Sequence, residues 1–131
     1  GLGIPAEPLF RSRSTNIMTA GGTTLNILGS VMDVAAFITE DGNLIGFVSS
    51  TDSGNDLPTG TFTYNDRDIF YIQDMTLTTI KYATSGDISV AKNGNNYTID
   101  MTGLTISGIS GSPTLHYVGT MPKFAFPFPE N

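Results

Sequence analysis

The sequence predicts an all-β protein from its composition, its periodicity and one clear hairpin. Thr, Ser, Asn and Gly dominate the polar residues of this 131-residue chain, and they favour strands and turns over helices. No segment carries apolar residues at the three-and-four spacing of an amphipathic helix. In Ser85–Gly103, two alternating segments flank Asn93-Gly94, a pair that tolerates the positive φ angles of a tight hairpin turn. These observations indicate antiparallel sheet.

The hairpin also predicts which of its faces is buried. Successive side chains of a strand point to opposite sides, so one residue in two faces the core. The residues expected on the dry face are Ile88, Val90, Tyr97, Ile99 and Met101. Polar residues such as Asp87, Ser89, Thr98 and Asp100 occupy the positions between them and predict a wet face.

The other strands follow from the same alternation between turn residues. In chain order they are Thr24–Leu28, Val31–Thr39, Leu44–Ser50, Gly60–Tyr64, Ile69–Ile72, Met75–Ala83, Leu104–Ile109 and Thr114–Met121. Val31–Thr39 is apolar on both faces, which predicts a central strand covered by the opposing sheet and by a loop; a short buried helix is the alternative. In Met75–Ala83 the apolar parity changes, and a β-bulge near Thr78–Thr79 would restore the register.

About nine short strands with turn residues between them predict an antiparallel β-sandwich, with a lipocalin-like up-and-down β-barrel as the alternative. The length fits a single domain over residues 1–131. Residues 1–10 form an extended lead-in, and residues 122–131 form a Phe/Pro-rich tail that its prolines exclude from a central strand. The tail either packs back over the fold or docks onto a partner, and the cost of exposing three phenylalanines favours packing back.

Charge and composition limit the partners. The net charge is −6 and the six basic residues are scattered, which argues against nucleic acid. The longest apolar runs are too short to span a bilayer. The absence of cysteine excludes thiol catalysis and cysteine-ligated clusters, and no cofactor is expected. The Thr, Ser, Asn and Gly content, with little Lys or Glu, is typical of exported bacterial proteins.

The C-terminal half carries four short patterns that resemble a known group of proteins. They are Pro58-Thr59-Gly60-Thr61-Phe62, Ser85-Gly86-Asp87-Ile88, Gly94-Asn95-Asn96-Tyr97-Thr98-Ile99 and Tyr117-Val118-Gly119. The chain resembles small exported or lipid-anchored β-domains of gut Bacteroidetes, whose functions are uncharacterised. The resemblance implies a periplasmic or cell-surface location, with a lipid-bearing cysteine upstream of residue 1.

The most function-like stretch is Tyr64–Tyr71, which concentrates aromatic rings, carboxylates and an arginine around a loop. The candidate ligand-binding residues are Tyr64, Asp66, Arg67, Asp68 and Tyr71. Sugar-binding surfaces combine aromatic platforms with planar hydrogen-bonding groups, and protein hot spots favour Tyr and Arg. The alternative is that the aromatic residues belong to the core, with the two aspartates and the arginine forming a solvated charge cluster.

Three further candidates carry weaker signals. His116 is the only histidine and is expected on the wet face of the last strand, which favours a surface role over catalysis. Asp33 interrupts an apolar strand and is either a buried carboxylate of raised pKa or a rim residue that faces water. Asp52, Asn55 and Asp56 offer oxygen ligands for Ca²⁺, but their spacing does not match an EF-hand and suits an ordinary Asx-rich loop.

No constellation of reactive side chains indicates catalysis, so we do not expect an enzyme. The sequence favours a non-catalytic, exported or cell-surface module for binding or adhesion, which recognises a glycan or a protein at the bacterial envelope. A carrier of a small apolar ligand and a structural domain without a ligand are the alternatives.

Overall fold

The computed structural model describes residues 12–14, 16–27, 29–49 and 57–125. These residues form nine β-strands: β1 (Ser12–Ser14), β2 (Ile17–Ile27), β3 (Ser30–Thr39), β4 (Leu44–Val48), β5 (Gly60–Thr63), β6 (Ile69–Ile72), β7 (Ile80–Asn93), β8 (Asn96–Ile106) and β9 (Ser112–Gly119). Two single-turn 3₁₀ helices, Gln73–Met75 and Leu77–Thr79, join β6 to β7. The described residues contain no α-helix, which confirms the all-β prediction.

The strands are hydrogen-bonded in the order β1-β9-β8-β7-β6-β4-β3-β2, and β5 also pairs with β7. The first sheet contains β2, β3, β4, β6 and the start of β7, and the second contains β5, the rest of β7, β8, β9 and β1. All pairings are antiparallel except that of β1 with β9. β1 and β2, the strands at the two ends of this order, do not pair with each other among the described residues, so the sheet does not close. This supports the sandwich over the lipocalin-like barrel.

β7 belongs to both sheets. Its first residues pair with β6 and its later residues pair with β5. Register shifts between Ala83 and Asp87 mark the change, and irregularities of this kind bend a strand. Gly86 lies within them with a φ of 144°, and a Cβ at this position would collide with the Leu104 side chain. Glycine is therefore required where β7 turns from one sheet to the other.

The main core lies between the two sheets. The second sheet contributes the five predicted dry-face residues of the hairpin, all no more than 5% exposed, and the first contributes Phe37, Ile45 and Phe47. Asp87, Ser89 and Asn96 are exposed, so the prediction of one dry and one wet face is confirmed.

The first sheet is apolar on its outer face as well. Leu25, Val34 and Phe70 are 1% exposed there, and Met75, Leu77 and Phe124 pack against the same cluster. The central position of Val31–Thr39 is thereby confirmed, since its two faces meet the opposing sheet and a covering of loop residues. The alternative of a short helix is wrong.

The tail contributes to that covering through residues 122–124. The Pro122 carbonyl accepts a hydrogen bond from the Gly22 N–H at 2.9 Å, and the Phe124 N–H donates to the Gly22 carbonyl at 2.9 Å. This short parallel bridge places Phe124 against the outer cluster. The tail therefore packs back onto the edge of β2 as far as it is described; Phe126 and Phe128 lie outside the described residues.

Several strand boundaries differ from the prediction. The strand over Met75–Ala83 is wrong in its first half, because the two 3₁₀ turns occupy it and β7 begins at Ile80. The change of parity arises from those turns and not from a bulge near Thr78–Thr79. β8 continues to Ile106 without the predicted break before Leu104, and β2 begins at Ile17, seven residues before the expected start. Within the described part of the chain, no helix is long and apolar enough to cross a membrane.

Candidate functional site

A turn between β5 and β6 holds four of the five candidate residues. The N–H groups of Asp66 and Arg67 both donate to the Thr63 carbonyl, at 2.9 and 3.1 Å. The Thr63 hydroxyl accepts from the Asn65 N–H at 3.3 Å, and the Asp66 carboxylate accepts from the Thr63 N–H at 3.1 Å. The bond from the Thr63 N–H to the Asp66 carboxylate is one half of a capping box, whereas the Thr63 hydroxyl accepts from Asn65, one residue earlier than in that motif. Together these bonds hold the backbone of the turn in one conformation.

Arg67 extends from this turn back over β5. Its Cζ lies 4.5 Å from the centroid of the Phe62 ring, and its Nη1 donates to the Asp66 carbonyl at 3.2 Å. Among the described residues, neither Asp66 nor Asp68 forms an ion pair with it. A guanidinium carries five N–H donors. Most of its donors therefore have no protein partner in the part of the chain that the structure describes.

Tyr64 and Asp68 flank the turn. The Tyr64 N–H donates to the Gly86 carbonyl at 3.0 Å, and its half-buried side chain packs against the main core. The Asp68 carbonyl accepts from the Val48 N–H at 3.0 Å while the residue itself is exposed. Asp68 therefore anchors the turn to β4 through its backbone and leaves its carboxylate in solvent.

Tyr71 belongs to a different neighbourhood. It lies three residues along the chain from Asp68, a separation of about 10 Å in an extended strand. Burial raises the pKa of its hydroxyl, and the nearby carboxylates of Asp41 and Asp74 raise that pKa further. Asn43 connects the β3–β4 turn to the first 3₁₀ helix, because its Oδ1 accepts a hydrogen bond from the Asp74 N–H at 2.9 Å. The Tyr71 hydroxyl therefore faces the β3–β4 turn and the first 3₁₀ helix.

The structure thus brings Tyr64, Asp66, Arg67 and Asp68 into one turn and directs the Tyr71 hydroxyl elsewhere. Phe70, from the same stretch, is 1% exposed on the outer face of the first sheet, and the rings of Tyr64 and Tyr71 are partly core. Sequence reasoning missed Phe62 as the ring beneath Arg67 and Thr63 as the residue that holds the turn. The Thr63-x-x-Asp66 spacing was a readable signal for the second of these.

His116 lies on the wet face, as predicted. Leu115 beside it is 1% exposed, whereas the His116 side chain is 58% exposed. Its Nδ1 lies 2.5 Å from Oδ1 of Asp100, the residue directly opposite on β8. An exposed cross-strand pair of this kind contributes little to stability. In the described ranges no group of three or more His, Cys, Asp or Glu side chains is arranged to hold a metal ion.

Asp33 has a hydrogen-bonding partner at the rim of the first sheet. Its half-buried carboxylate accepts from the Thr24 hydroxyl at 2.7 Å, across the β2–β3 pair. This supports the rim interpretation over that of a fully buried carboxylate. The calcium candidates Asp52, Asn55 and Asp56 lie outside the described residues.

Comparison with protein-family models, with curated proteins and with solved structures finds no match to this chain. The strand pairing defines the class of protein as an antiparallel β-sandwich, with an arginine-bearing turn at the end of β5.

Proposed function

We propose that this protein is a non-catalytic recognition module that binds a glycan or a protein at the bacterial cell envelope. The observation that carries the proposal is the Arg67 guanidinium, which is stacked on Phe62 and has no carboxylate partner among the described residues. Because the hydrogen bonds of Thr63 and Asp66 already order the turn, a ligand binding there would lose little free energy to ordering the protein.

The surroundings of Arg67 suit recognition by hydrogen bonds. Asn65 and Asp68 are exposed on the same turn and offer amide and carboxylate groups. Binding sites for polar ligands combine a few such groups with aromatic surface, which the partly buried Tyr64 supplies beside the Arg67–Phe62 pair. Tyr71 would belong to an extended site and not to its centre. The exported or lipid-anchored location belongs to the same proposal and rests on composition and on the four short sequence patterns.

A thermal-melt screen tests the proposal, since a ligand that binds the native state raises the melting temperature by mass action. Glycan fragments, fatty acids and envelope extracts are screened against the wild type, Arg67→Ala, Tyr71→Ala and a His116→Ala control on the wet face. We expect one glycan or protein class to raise the melting temperature, with affinity weakened by Arg67→Ala and unchanged by His116→Ala.

Unchanged affinity in both Arg67→Ala and Tyr71→Ala would remove the predicted site. A shift with fatty acids alone would contradict the recognition module and favour a carrier. No shift with any ligand or extract would contradict binding altogether and favour a structural role.

A further inference from the structure

We infer that the ligand is a saccharide bearing a carboxylate, a uronic acid residue, and that Arg67 is its anchor. This inference rests on the proposed function and names the ligand class for the same turn.

In the described part of the chain, the Arg67 guanidinium forms no ion pair with the carboxylates beside it. The chain has a net charge of −6 with only six basic residues, and aspartates lie on both sides of Arg67. Even so, the Asp66 carboxylate accepts from the Thr63 N–H, and Arg67 stacks on Phe62. Arg67 is held beside two carboxylates without an ion pair to either, so most of its N–H groups have no partner among the described residues and can donate to an incoming group.

The N–H groups of Arg67 have the geometry that a carboxylate requires. A guanidinium is a planar fork that matches a carboxylate through two parallel N–H···O bonds. One nitrogen already donates to the Asp66 carbonyl, and this bond together with the contact to the Phe62 ring restricts the rotamers of the Arg67 side chain. This restriction lowers the rotamer entropy that binding would otherwise cost.

The negative charge around Arg67 favours a ligand with a single carboxylate over a polyanion. A polyanion or a strongly acidic peptide would be repelled by the negative chain and by the exposed Asp68 carboxylate. A sugar ring with one carboxylate presents a single negative charge to Arg67 and hydroxyl donors to the acceptors around it. Asn65 and Asp68 are exposed acceptors of this kind.

The experiment uses the full chain, with a neutral oligosaccharide that carries a single galacturonic acid residue as the probe and its methyl ester as the neutral control, titrated calorimetrically at low and at physiological salt. The variant is Arg67→Gln, and its matched control is Lys123→Gln. Both remove one positive charge, the first inside the turn and the second outside it. We expect the acid form to bind at least tenfold more tightly than the ester. Arg67→Gln should remove that preference, and Lys123→Gln should keep it within twofold.

If the acid and the ester bind equally well and Arg67→Gln weakens the binding of both, the uronic acid inference is overturned. The proposal of a recognition module would stand in that case. If Arg67→Gln still binds the acid more tightly than the ester, Arg67 is not the anchor of the carboxylate. No binding of either probe would overturn the inference, and the wider ligand screen would then decide on the recognition module by itself.

Discussion

The guanidinium of Arg67 lies over the ring of Phe62, with 4.5 Å between its Cζ and the ring centroid. Phe62 belongs to β5 and Arg67 to the turn that follows, so this contact folds the turn back against the edge of the second sheet. The same contact covers part of an aromatic ring that packs against the main core. The pair therefore contributes to the packing of the turn, and the recognition role proposed for Arg67 can be tested separately from that contribution.

The energetic coupling of this pair is measurable in a double-mutant cycle. Phe62→Leu keeps most of the apolar volume but removes the π face, and Arg67→Ala removes the cation. At a partly exposed site we expect a coupling of about 0.5–1 kcal/mol in the free energy of unfolding, measured with urea. The pair of Phe62→Leu with Lys123→Ala is the control and should be additive; a Phe62–Arg67 coupling no larger than this control would contradict the contact.

The hydrogen bond from the Asn65 N–H to the Thr63 hydroxyl predicts a second stability effect. Thr63→Ala removes the acceptor for the Asn65 N–H, and the loss should cost about 1 kcal/mol of unfolding free energy. Thr63→Ser keeps the hydroxyl and should recover most of the loss. If Thr63→Ala and Thr63→Ser have equal urea midpoints, the hydroxyl does not hold the turn.

The fold was predictable wherever a local pattern decides the structure. Alternation with a period of two placed Ile88 and Ile99 in the core, and both are fully buried. The region before β7 was not predictable, because a change of parity fits a bulge and a 3₁₀ turn equally well. Asp74 and Met75 have φ angles of 55° and 56° there, a conformation uncommon for residues other than glycine.

The part of the candidate site that depends on neighbours close in sequence was predictable as well. Arg67 and its neighbours form contacts within five residues, which short sequence patterns can indicate. The surroundings of Tyr71 depend on Asp41, thirty residues earlier, and no local pattern indicates that contact. The resemblance of the C-terminal half to exported β-domains stays a prediction.

Tyr71 predicts how stability depends on alkaline pH. Burial, then Asp41 and Asp74, raise its folded-state pKa above the ordinary value of about 10, so the native state favours the protonated phenol. This contribution is fully present below the unfolded pKa and is lost as the pH rises through the folded pKa. We expect the unfolding free energy of the wild type to fall above pH 10, and less steeply in Tyr71→Phe.

Tyr117 serves as the comparison for that measurement. Burial alone raises its pKa, so Tyr117→Phe should also flatten the alkaline decline. Asp74→Asn removes one of the charges that act on Tyr71 and should lower the pKa of Tyr71 without changing that of Tyr117. The difference between the ultraviolet titrations of each protein with and without the Tyr71→Phe or Tyr117→Phe change isolates the phenol concerned among the five tyrosines. An unchanged Tyr71 titration in Asp74→Asn would contradict the assigned charge effect.

Two adjacent glycines of β2 allow a matched test of how the tail is held. A Cβ at Gly21 would collide with the Pro122 carbonyl oxygen and lie 2.9 Å from a Phe124 ring carbon, whereas a Cβ at Gly22 would have nothing closer than 3.9 Å. Gly21→Ala must therefore displace residues 122–124 from the edge of β2, at a cost of about 1–3 kcal/mol. Gly22→Ala adds the same methyl group at the neighbouring position and should leave the free energy of unfolding nearly unchanged.

Urea unfolding compares the two variants, and proteolysis at Lys123 under native conditions reports whether the tail has left β2. We expect Gly21→Ala to unfold at lower urea and to be cleaved faster than Gly22→Ala. Phe124→Ala should weaken the same edge, and its effect should not add fully to that of Gly21→Ala, because both act on one contact. Equal behaviour of the two glycine variants would mean that the tail does not occupy this edge in solution.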